Sequence, residues 1–260
     1  INRLLGFIPW FVMVLFVFAL GWRARGSLRS GILYAAMLCA VGVVGLWQLM
    51  YMTLSIVLAS VLLALIIGLP TGILLSASDR AMRVARPILD TMQTMPVFVY
   101  LIPALLLFGL GSASAVIATV IYAVVPVIRL TSLGIRQVDE SVVEASRSFG
   151  STRMQPLTKV QIPQAMPTIM AGVNQTLMMA MSMVVTCSMI GARGLGNEVL
   201  IAVNRTEIGR GLVSGFSVVI LAVLLDRMTQ GWFSDEKRLA GQDRRLRVKI
   251  KKEAGGDSNG

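Results

Sequence analysis

Long apolar runs separated by short polar stretches organise this chain. Apolar segments at roughly 4–21, 31–47, 51–77, 87–109, 114–131, 166–190 and 211–228 reach or approach the ~20 residues that carry an α-helix across a hydrocarbon core about 30 Å thick. The ten-residue alternating segments of a membrane β-barrel are absent. The pattern therefore predicts an all-α polytopic membrane protein with seven spans. Two lie within residues 1–50 and five within 51–228, and a tail runs from 229 to 260. The first run lacks a small-x-small cleavage site and carries Trp10, with Trp22 just beyond it. That predicts a true span with interfacial anchors and not a signal peptide.

The polar interval 132–165 is the longest break within the apolar region and is too polar to cross. Ser141 and Glu144 stand at capping-box spacing, which predicts a short helix starting there. Val142, Ala145 and Phe149 follow at i, i+3 and i+7, one apolar stripe on that helix. Gly150 is placed to end it through a positive φ. Pro156 suits the first turn of a second short helix, and Pro163 is expected to stop that helix before the next span. An apolar stripe in a loop outside the bilayer calls for a surface to bury against.

Composition agrees with the membrane reading. The chain has 260 residues, 55% hydrophobic and 14% charged, with mean hydropathy +0.75. Its net charge of +11 does not point to nucleic acid, because the basic residues follow topology. Arg23, Arg25 and Arg29, then Arg80, Arg83 and Arg86, then Arg129, Arg136, Arg147, Arg153 and Lys159, and nine more from Arg227 to Lys252 all fall on one side. Only Arg3, Arg193, Arg205 and Arg210 fall on the other, which predicts N-terminus out and C-terminus in. The tail is too polar to build a core and is expected to be mobile in the cytoplasm.

The chemistry-bearing residues exclude several classes. There is no histidine, and Cys39 and Cys187 sit in separate apolar spans without a partner motif, so neither a metal site nor a redox framework is expected. No phosphate-binding Gly-x4-Gly-Lys-Ser/Thr loop occurs, so this chain is not expected to bind ATP. Asp90 and Asp226 are the acids nearest membrane depth. Both lie near inner span ends, beside Arg86 and Arg227, and interfacial ion pairs are expected there. The stretch from Leu89 to Pro103 is unusual for a span: Pro96 and Pro103 remove backbone donors, and Thr91, Gln93 and Thr94 add polar groups. A broken helix beside a translocation path fits, with Met92, Met95, Pro96, Phe98 and Tyr100 as candidate linings. Ordinary packing around a proline kink fits as well. Asn174 and Gln175 carry the same two readings.

The spacing Glu144-Ala145-Ser146, Gly150 and Val160-Gln161-Ile162-Pro163 resembles the E-A-A-x3-G-x9-[IV]-x-[LI]-P loop of ABC importer permeases, with Ser146 replacing the second alanine. The stretch Leu89–Pro103, with Ala171–Met178 and Ser182–Val185, looks like the permease subunit of glycine betaine/proline importers and their choline and carnitine relatives. The resemblance implies a type I importer core of five spans, here preceded by two more, in the inner membrane. It implies a non-catalytic subunit that works by alternating access. Its partners would be a second permease copy or paralogue, a cytoplasmic ATPase dimer that binds the ATP and Mg²⁺, and an external substrate-binding protein. Glu144, Ala145, Ser146, Phe149, Gly150, Val160, Ile162 and Pro163 would then form the ATPase-coupling loop, and the glycine-rich 191–198 loop would belong to the external face. The same architecture carrying another small solute, such as an amino acid, or an ATP-independent carrier or channel, are the competing readings.

Overall fold

A computed structural model describes residues 9–25, 27–148, 150–152 and 154–230. The helices, in chain order, are α1 (Trp10–Arg25), α2 (Leu28–Val43), α3 (Trp47–Ser76), α4 (Asp79–Thr94), α5 (Phe98–Phe108), α6 (Ser112–Arg136), α7 (Glu140–Ser148), α8 (Met154–Ile190), α9 (Leu195–Arg205) and α10 (Ile208–Gln230). No strand occurs among the described residues. The first part of the 4–21 run and the tail beyond 230 lie outside them, as do Phe149 and Arg153.

Among the described residues, four helices (α3, α6, α8 and α10) are each long and apolar enough to cross a membrane, and α4 with α5 makes a fifth, broken crossing if counted together. The α1 and α2 helices are 16 residues each, short of the ~20 a perpendicular crossing needs. The expectation of seven spans thus meets four unbroken helices, a bent pair and a short helical hairpin.

Helix α6 is the axis of the bundle. Its buried face is built from small residues, with Ala115, Ala118, Ala123 and Thr119 fully enclosed. Lipid tails are as apolar as a leucine side chain, so helices here gain most by close backbone approach, which small residues allow. Gly72 of α3 lies against Thr131 and the Ile128 carbonyl of α6, and Gly172 of α8 lies against Leu130 and the Pro126 carbonyl. Several hydroxyls are satisfied within their own helices. Thr53 and Thr71 donate to the carbonyls of Leu49 (3.0 Å) and Ile67 (2.6 Å), four residues back.

The two ends of the bundle are tied differently. At one end the buried Leu195 amide donates to Thr53 Oγ1 at 2.8 Å, and the Gly111 amide donates to the Ile190 carbonyl at 3.0 Å. These bonds pin the start of α9 and the turn before α6 to the outer turns of α3 and α8. At the opposite end α6 emerges, turns through Gln137–Asp139 and enters α7.

Two boundaries differ from expectation. Helix α6 runs on to Arg136 and α8 begins at Met154, so half of the polar interval is the extended ends of long helices. Pro163 does not stop a helix: α8 passes through it. A π-helical turn over Leu157–Gln161 precedes it, and Pro163 occupies the first turn of the regular segment that follows, where its missing N–H costs little.

Candidate functional site

Two features stand out from the bundle: the exposed α7 loop, and the elbow between α4 and α5.

Helix α7 is started by Asp139, not by Ser141. The Asp139 carboxylate accepts from the Ser141 amide at 2.9 Å, and its carbonyl accepts from the Val142 and Val143 amides. This is an Asx-type start, in which a short acidic side chain reaches the backbone two residues on. The bond from the Ser141 backbone N–H, then that from its side chain, holds the Asp139 carboxyl below its ordinary value of 3.8. Val143 turns inward and is 6% exposed, while Val142, Glu144 and Ala145 face outward. Ser146 is half-buried, and its carbonyl accepts from the Ser151 hydroxyl at 2.7 Å, closing the end of α7. Gly150 takes φ +78°, the left-handed region expected of it. Beyond the turn, Thr152 donates its amide to Gln155 Oε1 at 2.9 Å as α8 begins. Ile162 is half-buried against Ile135, Ala165 and Ile169, Val160 is half-buried and Pro163 is exposed. The loop is thus a structured projection carrying apolar Val142 and Ala145 beside an ionic Glu144 on its outward side.

The elbow forms where α4 ends and α5 begins, with a 93° bend between them. The last carbonyls of a helix have no following amide to bond, and Pro96 cannot supply one. Met95 is extended, and the Tyr100 hydroxyl folds back from α5 to donate to the Met92 carbonyl. Tyr100 is 7% exposed and meets Tyr122 of α6 edge-on, ring centroids 5.7 Å apart. Met92 and Met95 are half-buried around this corner, whereas Pro96 and Phe98 are exposed. Pro103 lies within α5 and does not break it.

Asn174 belongs to another arrangement. Its Nδ2 donates to Asp226 Oδ1 at 3.0 Å and its Oδ1 accepts from the Thr229 hydroxyl at 2.8 Å, which ties α8 to α10. Asp226 also accepts from Gln230 at 2.6 Å, with Arg227 more distant at 3.9 Å. The expected partner of Asp90 is corrected: its carboxylate pairs with Arg129 of α6 at 2.7 Å, not with Arg86. Arg86 points away because α4 is amphipathic and lays its other face on α6. Sequence reasoning placed Arg129 only as a topological charge. Its depth in α6, two turns before the helix end, was the available signal that it must be paired.

With this geometry in view, comparison with known proteins is decisive. Residues 60–231 match the family described as "Binding-protein-dependent transport system inner membrane component". The chain belongs to that family. It is a multi-pass inner-membrane transport component, and the match runs from the middle of α3 to the end of α10, taking in both the α7 loop and the elbow. Among relatives, it is 50% identical to the glycine betaine/proline betaine transport system permease protein ProW of Escherichia coli, over 86% of this chain and 64% of that protein. It is 48% identical to the glycine betaine/carnitine transport permease protein GbuB of Listeria monocytogenes, over 86% of this chain and 80% of that one. It is 45% identical to the glycine betaine transport system permease protein OpuAB of Bacillus subtilis, over 87% and 80%. The chain thus spans less than two thirds of the length of ProW. Among solved structures, an inward-facing form of the MetNI methionine ABC transporter aligns with TM-score 0.63 over 75% of this chain and 95% of the matched one, at 23% identity. This likeness establishes the permease fold for the inner-membrane component described above.

Proposed function

We propose that this chain is the membrane-spanning subunit of an ATP-driven importer that moves glycine betaine or a related quaternary amine, such as choline, carnitine or proline betaine, inward by alternating access. The observation that carries the reading is 45–50% identity over most of the chain to permeases named for glycine betaine. A pair of such permeases, homologous or identical, would form the pathway. An external binding protein would deliver the solute. A separate ATPase dimer, holding ATP and Mg²⁺, would drive the cycle, and this chain itself would be non-catalytic. The basic-residue asymmetry supports a cytoplasmic α7 end. There the outward Val142 and Ala145 with Glu144 offer the ATPase a small apolar surface with one charge. The elbow residues Met92, Met95 and Phe98 are the favoured lining: soft thioether and aromatic surfaces suit a methylated ammonium, whose diffuse charge needs no fixed countercharge.

The test is uptake of labelled glycine betaine and choline into cells with and without this chain, the partner subunits being present, in low and high osmolarity. Chain-dependent uptake of either supports the reading, and the preferred label divides osmoprotection from choline supply. Absence of chain-dependent uptake of both withdraws the substrate class. In the same cells Gly150→Asp is expected to reach the membrane yet abolish ATPase association or coupled uptake, since aspartate adopts φ +78° at a cost and adds charge beside the docking face. Normal uptake by that variant refutes the role given to the loop.

A further inference from the structure

Helix α4 has a sparse hydrophobic hold on the bundle, since Leu89 is its one buried residue. What holds it is polar and comes from α6. At its start Asp79 pairs with Arg136, whose other nitrogen donates to the Leu75 carbonyl at 2.9 Å. One turn on, the Ser132 hydroxyl lies 3.9 Å from Met82 Sδ. Near its end Asp90 pairs with Arg129 at 2.7 Å, and the same guanidinium donates to Gln93 Oε1 at 2.6 Å. As α4 advances from 79 to 93, its partners on α6 retreat from 136 to 129, an antiparallel register. Beyond Gln93 comes the elbow, itself referred to α6 through the Tyr100–Tyr122 contact. Helix α6, unbroken from Ser112 to Arg136, leads into α7 through three residues.

We infer that Arg129 and Arg136 are positioning residues that strap α4 to α6, so that the two move as one body and a displacement of α7 reaches the α4–α5 elbow. The physical reason is geometric: each guanidinium holds two groups at once, Arg129 the Asp90 carboxylate and Gln93 Oε1, Arg136 the Asp79 carboxylate and the Leu75 carbonyl, and a shifted helix cannot keep that fixed fork of donors satisfied. Sliding α4 along α6 breaks the contacts at both of its ends together. The remaining face of α4, with Arg80, Arg83 and Arg86, takes no part in the strap and is exposed. This inference rests on the proposed docking at α7 and the proposed path at the elbow.

The experiment uses the complete transporter, with ATPase and binding protein, in liposomes. Met82→Cys and Ser132→Cys, in a background of Cys39→Ala and Cys187→Ala, are joined by a short bis-methanethiosulfonate, which loses a methanesulfinate at each thiol, and both betaine uptake and ATP hydrolysis are measured. The strap requires cross-linked and unlinked complexes to behave alike. A cross-link that stops uptake in a complex active before linkage overturns it, because α4 and α6 must then move apart during the cycle. A complex that hydrolyses ATP but imports no betaine speaks against the substrate reading alone. There the strap stands if hydrolysis is unchanged on linkage and falls if it is lost. A charge swap gives a second readout on assembled complexes. Arg129→Asp and Asp90→Arg singly lower uptake per ATP hydrolysed, and the double swap recovers about fivefold or more over the product of the singles, a coupling of ~1 kcal/mol. A double swap no better than that product also overturns the strap.

Discussion

Gly72→Ala adds one methyl group at the closest approach of α3 to α6. A Cβ there stands 2.7 Å from Thr131 Cβ and 2.8 Å from the Ile128 carbonyl oxygen, where ordinary contact begins at 3.4 Å. One neighbour is main chain and cannot rotate away, so the helices must part by about 0.6 Å, the difference between those distances. Overpacking of this kind costs ~1–3 kcal/mol. Alanine is also the better helix former by roughly 0.5–1 kcal/mol, which offsets part of the cost. Gly215→Ala on α10 isolates that second effect, because nothing lies within 4 Å of a Cβ at Gly215. Subtracting one variant from the other cancels the propensity and leaves the overpacking alone, a difference of ~1–3 kcal/mol. For a chain of this size it corresponds to about 2–12 °C in melting temperature, Gly72→Ala being the lower. The assay is thermal unfolding of the purified permease in one detergent, followed by far-UV circular dichroism. Equal melting temperatures for the two variants refute the claim that α3 and α6 meet at backbone contact.

Two further substitutions probe the functional features. Tyr100→Phe keeps the ring against Tyr122 but orphans the Met92 carbonyl at the elbow, which is expected to cost ~1–3 kcal/mol and raise hydrogen exchange in residues 91–100; unchanged stability and exchange count against the bond. Asp139→Ala removes the carboxylate's bond to the Ser141 amide while leaving the backbone carbonyl in place, and faster amide exchange over 140–148 at neutral pH is the expected result. Because the Asp139 carboxyl is held below its usual value, its stabilisation is present above 3.8 and is lost as pH falls through the lower, folded-state value. Wild-type α7 is therefore steady across the neutral and mildly acid range and loosens only in stronger acid, while Asp139→Ala shows no such step. A wild-type loosening at mildly acid pH contradicts the cap.

The helical membrane class was legible in the sequence because the preference of a segment for lipid is a sum over its own side chains, with little regard for neighbours. The same locality made α3, α6, α8 and α10 readable, along with the turn at Gly150, whose positive φ is a single-residue matter. The family resemblance was legible for the same reason: residues at fixed offsets in one loop need no tertiary knowledge to be seen. What the fold decided was every choice between partners. Asp90 has Arg86 one helical turn away in sequence and Arg129 across a helix interface, and the crossing of α4 on α6 selects Arg129. The partners of Asn174, Asp226 and Thr229, come from α10 more than fifty residues on. Pro163 looked like a stop because proline lacks a donor, yet the π turn before it let α8 continue. The 93° elbow needed the Tyr100 hydroxyl to arrive from the following helix and satisfy a carbonyl that Pro96 could not. Pairing energies depend on distance between elements far apart in the chain, and only the packed bundle sets those distances.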